Sequence, residues 1–168
     1  MEAFDQLVAR VDAPMIVVTT ASGDSRAGCL VGFHCQSSIE PRKYAVWLSK
    51  ANHTYRVALL AEHLAVHFLA EADVDLAELF GGTTGDEIDK FARCDSVAGP
   101  GGVPLLARCP NRLVLRLSAT LDERGDHVCM AGEVVQATAA HDFRPLRLSA
   151  VQHLEPGHAA EERQTADP

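Results

Sequence analysis

The chain has 168 residues, 47% of them hydrophobic and 5% aromatic, and a formal net charge of −8. That length is enough for one domain with a real core, and the composition is not that of a disordered chain. The acidic balance and the lack of any Lys/Arg run argue against nucleic acid as a partner, and no apolar stretch approaches the ~20 residues that span a bilayer.

Residues 2–10 carry Phe4, Leu7 and Val8 at helical spacing, with Val11 next in the series, and predict a short amphipathic helix. The opening Met1–Asp5 has no basic and apolar leader pattern, and the five cysteines, Cys29, Cys35, Cys94, Cys109 and Cys129, form no CxxC pair. The expectation is therefore a cytoplasmic protein with free thiols, no disulfide framework and no metal site. Cys29 and Cys35 are candidates to line a pocket, against the commoner role of cysteine as a small hydrophobe.

After Pro14, the β-branched run Met15–Thr20 predicts a strand, and the Ser22-Gly23-Asp24 turn joins it to a second strand over Ala27–His34. Within that strand Gly32 marks a bulge or a close approach to the backbone. His34, Gln36, Ser37 and Ser38 then offer donors and acceptors without formal negative charge. A strand over Tyr44–Leu48 leads into Ser49-Lys50-Ala51-Asn52-His53-Thr54, and Asn52 or Thr54 is placed to cap a helix over residues 54–62. Free N–H groups at a helix start suit an anion, so this stretch has two readings. One is a polar surface beside an anion pocket, suited to a phosphorylated aromatic cofactor; the other is a buried hairpin with an ordinary cap.

Leu64–Ala70 predicts a buried strand in which His67 is a hydrogen-bonded core or interface histidine. Asp73 is the expected cap of a helix carrying Val74, Leu76, Leu79 and Phe80, stopped by Gly81-Gly82. Thr84–Phe91 predicts another short helix, its carboxylates Asp86, Glu87 and Asp89 reading as a solvated face, and Ala98–Pro104 is a Gly/Pro-rich loop. Arg112–Leu121 and His127–Thr138 predict two long strands joined by Asp122–Asp126, and Leu146, Leu148 and Val151 allow a last short strand. From Glu155 the composition turns polar, giving one domain over 1–154 and a tail over 155–168.

Six or seven strands, mostly in hairpins, with three or four short helices predict a mainly β (α+β) chain: an antiparallel closed or split β-barrel. GxGxxG, Walker A, HExxH and GxSxG motifs are absent.

In order along the chain, the Ser-Gly-Asp turn, the Gly28 strand, Ser37-Ser38-Ile39-Glu40-Pro41 and Ser49–Thr54 before a helix resemble the flavin reductase family of FMN-binding split β-barrels. Asp89-Lys90-Phe91, Gly102–Leu106 and Gly125-Asp126-His127, whose strand reaches Gly132-Glu133-Val134, follow in the same order, so the resemblance covers about Asp12 to Leu154. It implies a homodimer with FMN at the subunit interface, hydride transfer from NAD(P)H to the flavin, and supply of reduced flavin to a monooxygenase partner. On this resemblance Leu30, Val31, Gly32, Phe33, His34, Gln36, Ser37 and Ser38 would face the flavin ring. Ser49, Lys50, Asn52, His53 and Thr54 would hold the phosphate and ribityl chain, and His127 would lie by the nicotinamide as the catalytic residue. Val31–His34 stand where relatives carry Ser, Thr or Asn, and Glu40-Pro41-Arg42 where they carry Asp-Pro-Pro. These departures leave room for FAD or a deazaflavin, and for a flavin-, deazaflavin- or haem-binding protein of the same fold without reductase turnover.

Overall fold

A computed structural model describes residues 2–82, 88–140 and 142–154. Its centre is a seven-stranded antiparallel sheet. Helix α1 (Glu2–Val11) precedes strands β1 (Ile16–Ser22), β2 (Ser25–Val31), β3 (His34–Ser38) and β4 (Lys43–Ser49). Helix α2 (His53–Ala58), strand β5 (His63–Phe68) and helix α3 (Val74–Gly81) follow. A small hairpin of β6 (Ser96–Ala98) and β7 (Pro104–Leu106) leads to the long strands β8 (Arg112–Leu121) and β9 (His127–Thr138), and α4 (Leu148–Val151) comes last.

The large sheet has the order β2-β1-β5-β8-β9-β4-β3. Its two edge strands, β2 and β3, are consecutive in the chain, joined by Gly32 and Phe33 alone. A two-residue link can connect opposite edges only if the sheet curls back on itself, so the fold is a half-barrel with a seam at Gly32-Phe33. The seam is tied by Trp47 N–H donating to Phe33 O at 2.9 Å and by His34, whose Nε2 lies 2.8 Å from Pro14 O.

The strand patterns follow from which faces are covered. Ile16 and Val18 point into the barrel with Val46, Leu64, Leu115 and Met130, while Val17 points the other way into a second core with Phe80, Phe91 and Leu106. Both faces of β1 are therefore buried, which is why it is continuously apolar rather than alternating. In β8 the expected alternation holds: Leu113, Leu115 and Leu117 face the barrel, while Val114 packs outside against Val103 and Leu105. His67 is fully buried, with Nδ1–H donating to Val17 O at 3.2 Å and Nε2 accepting from Leu106 N–H at 3.1 Å, so it is the core histidine expected.

Several boundaries differ from expectation. The Ala27–His34 strand is broken at the seam, because Gly32-Phe33 must turn from one sheet edge to the other. The helix after Asn52 stops at Ala58, leaving Leu59–Glu62 as turn and link to β5. Asp73 sits at the N-cap of α3 but makes no cap bond; its carboxylate accepts from Ala70 N–H at 2.9 Å instead. The Gly/Pro-rich loop contains a single 3-10 turn, Pro100–Gly102, and the hairpin of β6 and β7 brings the described strands to nine. Around Asp89–Phe91 the chain forms a 3-10 turn, Lys90–Ala92; Asp86 and Glu87 and the tail from Glu155 lie outside the described residues. Of the last expected strand, Leu146 lies in extended chain between the antiparallel bridges Ala70 to Pro145 and Pro14 to Arg147, while Leu148–Val151 form the short helix α4.

Candidate functional site

A groove of about 560 Å³ runs along the outside of β2 from α1 and α4 to the start of α2. Its wall is apolar, built from Leu30, Val31, Phe33, Trp47, Phe80 and Leu148 among others, with polar groups from Ser49, Asn52 and His127. β2 is an edge strand, so alternate backbone groups along it have no strand partner and can meet a ligand. The approach of α3 to that strand depends on small residues. A Cβ on Gly28 would lie 2.8 Å from the Phe80 ring, and one on Gly81 would lie 2.8 Å from the Leu30 side chain.

Several separate segments of sequence meet here. The seam contributes Leu30 through Phe33. The end of β4 and the turn after it contribute Ser49 and Asn52; Asn52 caps α2, its Oδ1 accepting from Thr54 N–H at 2.9 Å. The β8–β9 hairpin contributes His127, whose ring stands edge-on to Phe33 with centroids 5.1 Å apart. His127 Nδ1–H donates to the Asp126 carboxylate at 2.9 Å, which holds that acid below its usual range and leaves Nε2 as the ring nitrogen available to a ligand. The hairpin is held against the turn by Lys50, whose N–H donates to Asp126 O at 2.9 Å and whose ammonium pairs with Asp122 at 2.8 Å.

Of the residues the resemblance points to, Leu30, Val31, Gly32, Phe33, Ser49, Asn52 and His127 line the groove. The others lie off it within one chain, each for a visible reason. His34 turns to the barrel seam, where Nε2–H donates to Pro14 O and Nδ1 accepts from the Tyr44 hydroxyl at 2.7 Å. Burial there lowers the His34 pKa and pushes the Tyr44 phenol up to about 12. Gln36, Ser37 and Ser38 follow β3 away from the groove, with Gln36 Nε2 donating to Ser38 O. The Lys50 ammonium is taken by Asp122, and His53 Nδ1 accepts from the Arg56 guanidinium at 3.0 Å. Thr54 is buried behind the cap, beside the Cys29 thiol, so its hydroxyl does not reach the groove.

Met15, Trp47, Phe80 and Gly81, and Leu148 and Val151 of α4, line the groove without having been singled out as site residues. Phe80 and α4 carried no usable signal, because their arrival beside β2 depends on packing of distant elements. Cys29 forms part of the floor, and burial pushes its thiol up to about 11, so it is an inert packing group.

The curled antiparallel half-barrel with an apolar groove along its edge strand is a split barrel. The chain belongs to the flavin reductase like domain family, whose model matches residues 8–151. It is 31% identical over 121 residues to the stachydrine N-demethylase reductase subunit Stc3 of Rhizobium meliloti, covering 70% of this chain and 51% of that protein. It is 31% identical over 105 residues to the FMN reductase (NADH) RutF of Stutzerimonas stutzeri, covering 62% of this chain and 60% of that one. The chain thus spans between half and three fifths of the length of these relatives. Among solved structures, the NADH:FAD oxidoreductase SgcE6 of Streptomyces globisporus superposes with a TM-score of 0.74 at 22% identity, over 86% of this chain and 87% of that one. That likeness establishes the fold.

The groove fits a flavin in its donor chemistry. An apolar wall at Leu30, Phe33 and Trp47 suits a tricyclic ring, edge-strand backbone suits its polar rim, and Ser49 and Asn52 add polar groups to the lining. No helix among the described residues is long and apolar enough to cross a membrane.

Proposed function

We propose that this chain is an NAD(P)H-dependent flavin reductase that passes hydride from the nicotinamide to FMN, with FAD as the alternative flavin, and supplies reduced flavin to a monooxygenase. The observation that carries this reading is the convergence of the Gly32-Phe33 seam, the Asn52-capped turn and His127 on one groove. Two relatives, an FMN reductase (NADH) and an N-demethylase reductase subunit, support the same reaction class.

The flavin, when bound, supplies the hydride-accepting chemistry. The chain's residues bind and orient. Leu30, Phe33 and Trp47 would exclude water from the ring, and backbone N–H groups at Gly32 and Phe33 would be the donors for negative charge on it. Ser49 and Asn52 hold the polar side chain of the cofactor. His127, with its tautomer set by Asp126, offers Nε2 to the nicotinamide carboxamide. No general base is required, since hydride moves without a proton relay.

The working unit is a homodimer of single-domain chains over 1–154, in a reducing cytoplasm suited to the five free cysteines. The exposed apolar stripe of α1, Phe4, Leu7, Val8 and Val11, supports the dimer, because Val8 and Val11 line the groove that a partner would close. The test is the absorbance spectrum of the purified protein with FMN, followed by anaerobic mixing with NADH or NADPH. Rapid bleaching of the flavin band is expected. A bound flavin that neither nicotinamide bleaches would favour a flavin-, deazaflavin- or haem-binding role instead.

A further inference from the structure

Lys90 is the one lysine buried in the described core, at 4% exposure. Its Nζ donates to Gly28 O at 3.1 Å and to Phe80 O at 3.0 Å, and it lies 5.6 Å from the centroid of the Phe80 ring. Gly28 belongs to edge strand β2 and Phe80 to the last turn of α3, so the ammonium bridges the two elements that form the groove wall. Both acceptors are neutral carbonyls. The neighbouring carboxylate, Asp89, is engaged elsewhere: Oδ1 accepts from Phe91 N–H at 3.0 Å and Oδ2 from Arg26 at 3.5 Å.

A buried ammonium without a carboxylate is costly, and two carbonyls, one of them at a helix C-terminus, offset only part of that cost. Burial accordingly lowers the Lys90 pKa. Cys29, an ionisable neighbour, stays a neutral thiol because burial raises it, so among the described residues no compensating anion stands there. The cation, paired with no described carboxylate, is bonded to the carbonyl of Phe80, which lines the groove together with Cys29 and Gly81, so its charge acts on the groove from behind an apolar wall.

We propose that Lys90 is a positioning residue for charge: its buried ammonium makes the groove prefer a flavin ring that carries the negative charge left by two electrons and one proton over the neutral oxidised ring. The proposal rests on the reading of the groove as a flavin site and deepens it, since a site that holds reduced flavin more tightly than oxidised flavin draws the hydride forward.

The experiment measures the dissociation constant of oxidised FMN by fluorescence quenching and the midpoint potential of bound FMN against a reference dye, for the wild type and for Lys90→Met. Thermal melting and far-UV circular dichroism report the integrity of α3 in the variant. The wild type is expected to bind reduced FMN more tightly than oxidised FMN. Lys90→Met is expected to keep its affinity for oxidised FMN and to lose about tenfold of the reduced-over-oxidised preference, lowering the midpoint potential by about 30 mV for a two-electron couple. Equal loss of affinity for both redox forms, with the potential unchanged, would overturn the proposal and leave Lys90 as a prop for α3. A wild type that prefers oxidised FMN would overturn it whether or not the variant folds. A wild type that binds FMN in neither form would overturn the flavin-site reading along with it, and is distinguished from the other outcomes by the binding isotherm alone.

Discussion

The ring of Phe33 meets the imidazole of His127 edge-on, with centroids 5.1 Å apart, although the two residues are separated by most of the barrel in sequence. Phe33 remains more than half exposed, so this pair is a surface the molecule presents rather than core packing. His127→Ala should leave the affinity for FMN nearly unchanged and slow anaerobic flavin reduction by NAD(P)H, up to roughly a hundredfold if a positioning contact is lost. Stopped-flow bleaching measures the rate, and an equally fast variant would remove His127 from the reaction while leaving the enzyme class intact.

Asn52 and Thr54 should separate cleanly. Asn52→Ala removes the cap of α2, costing about 1 kcal/mol of stability, and should weaken FMN more than riboflavin because only FMN carries the phosphate. Thr54→Ala should lower the melting temperature with equal, small effects on both flavins, since Thr54 is buried away from the groove. Titration calorimetry with both ligands checks the pair; a larger FMN effect at Thr54 would relocate the phosphate.

Acid should destabilise the barrel through His67. Desolvation lowers its pKa from 6.5 to about 4, because a second ring proton would break the bond from Leu106 N–H and bury a charge. The unfolded chain therefore binds the proton first, so this stability is complete above pH 6.5 and is lost as pH falls toward 4. The contribution is on the order of 3 kcal/mol. Urea midpoints across that range should fall with pH in the wild type. His67→Gln should be less stable at neutral pH and show a flatter dependence.

Two adjacent glycines in the loop before β7 should respond differently to alanine. Gly101 has φ +63°, and a Cβ there would lie 2.8 Å from His63 Nδ1; Gly102 has φ +77° with open space around it. Gly101→Ala should carry both backbone strain and a clash, costing about 1–3 kcal/mol, and Gly102→Ala less. Thermal melts of the two variants give the comparison.

Sedimentation at micromolar concentration should show a dimer. Leu7→Glu on the exposed stripe of α1 should shift it toward monomer, whereas a surface substitution on a true monomer would change stability by no more than about 0.5 kcal/mol. A monomer that binds FMN tightly would sink the interface model.

Local chemistry alone was enough to locate most elements. The β-branched run into Val18, the alternation of Leu113, Leu115 and Leu117, and the Asn52 cap are short-range patterns, and each appears in the structure within a few residues of where it was expected. The order of turns and strands was also enough to point to the flavin reductase family, because collinear motifs survive where single ones are weak. The tertiary structure decided which polar residues face the groove. His34, Lys50 and Thr54 look as available in sequence as Asn52, yet Pro14 and Tyr44, Asp122, and the buried Cys29 surroundings take them. It also decided that Gly32-Phe33 is a seam, since a strand that changes sheet edge keeps the same apolar pattern as one that does not. Phe80, α4 and the Lys90 ammonium reach the groove wall only through contacts between segments far apart in the chain, and hydrophobic periodicity records which face of an element is buried but not which element buries it.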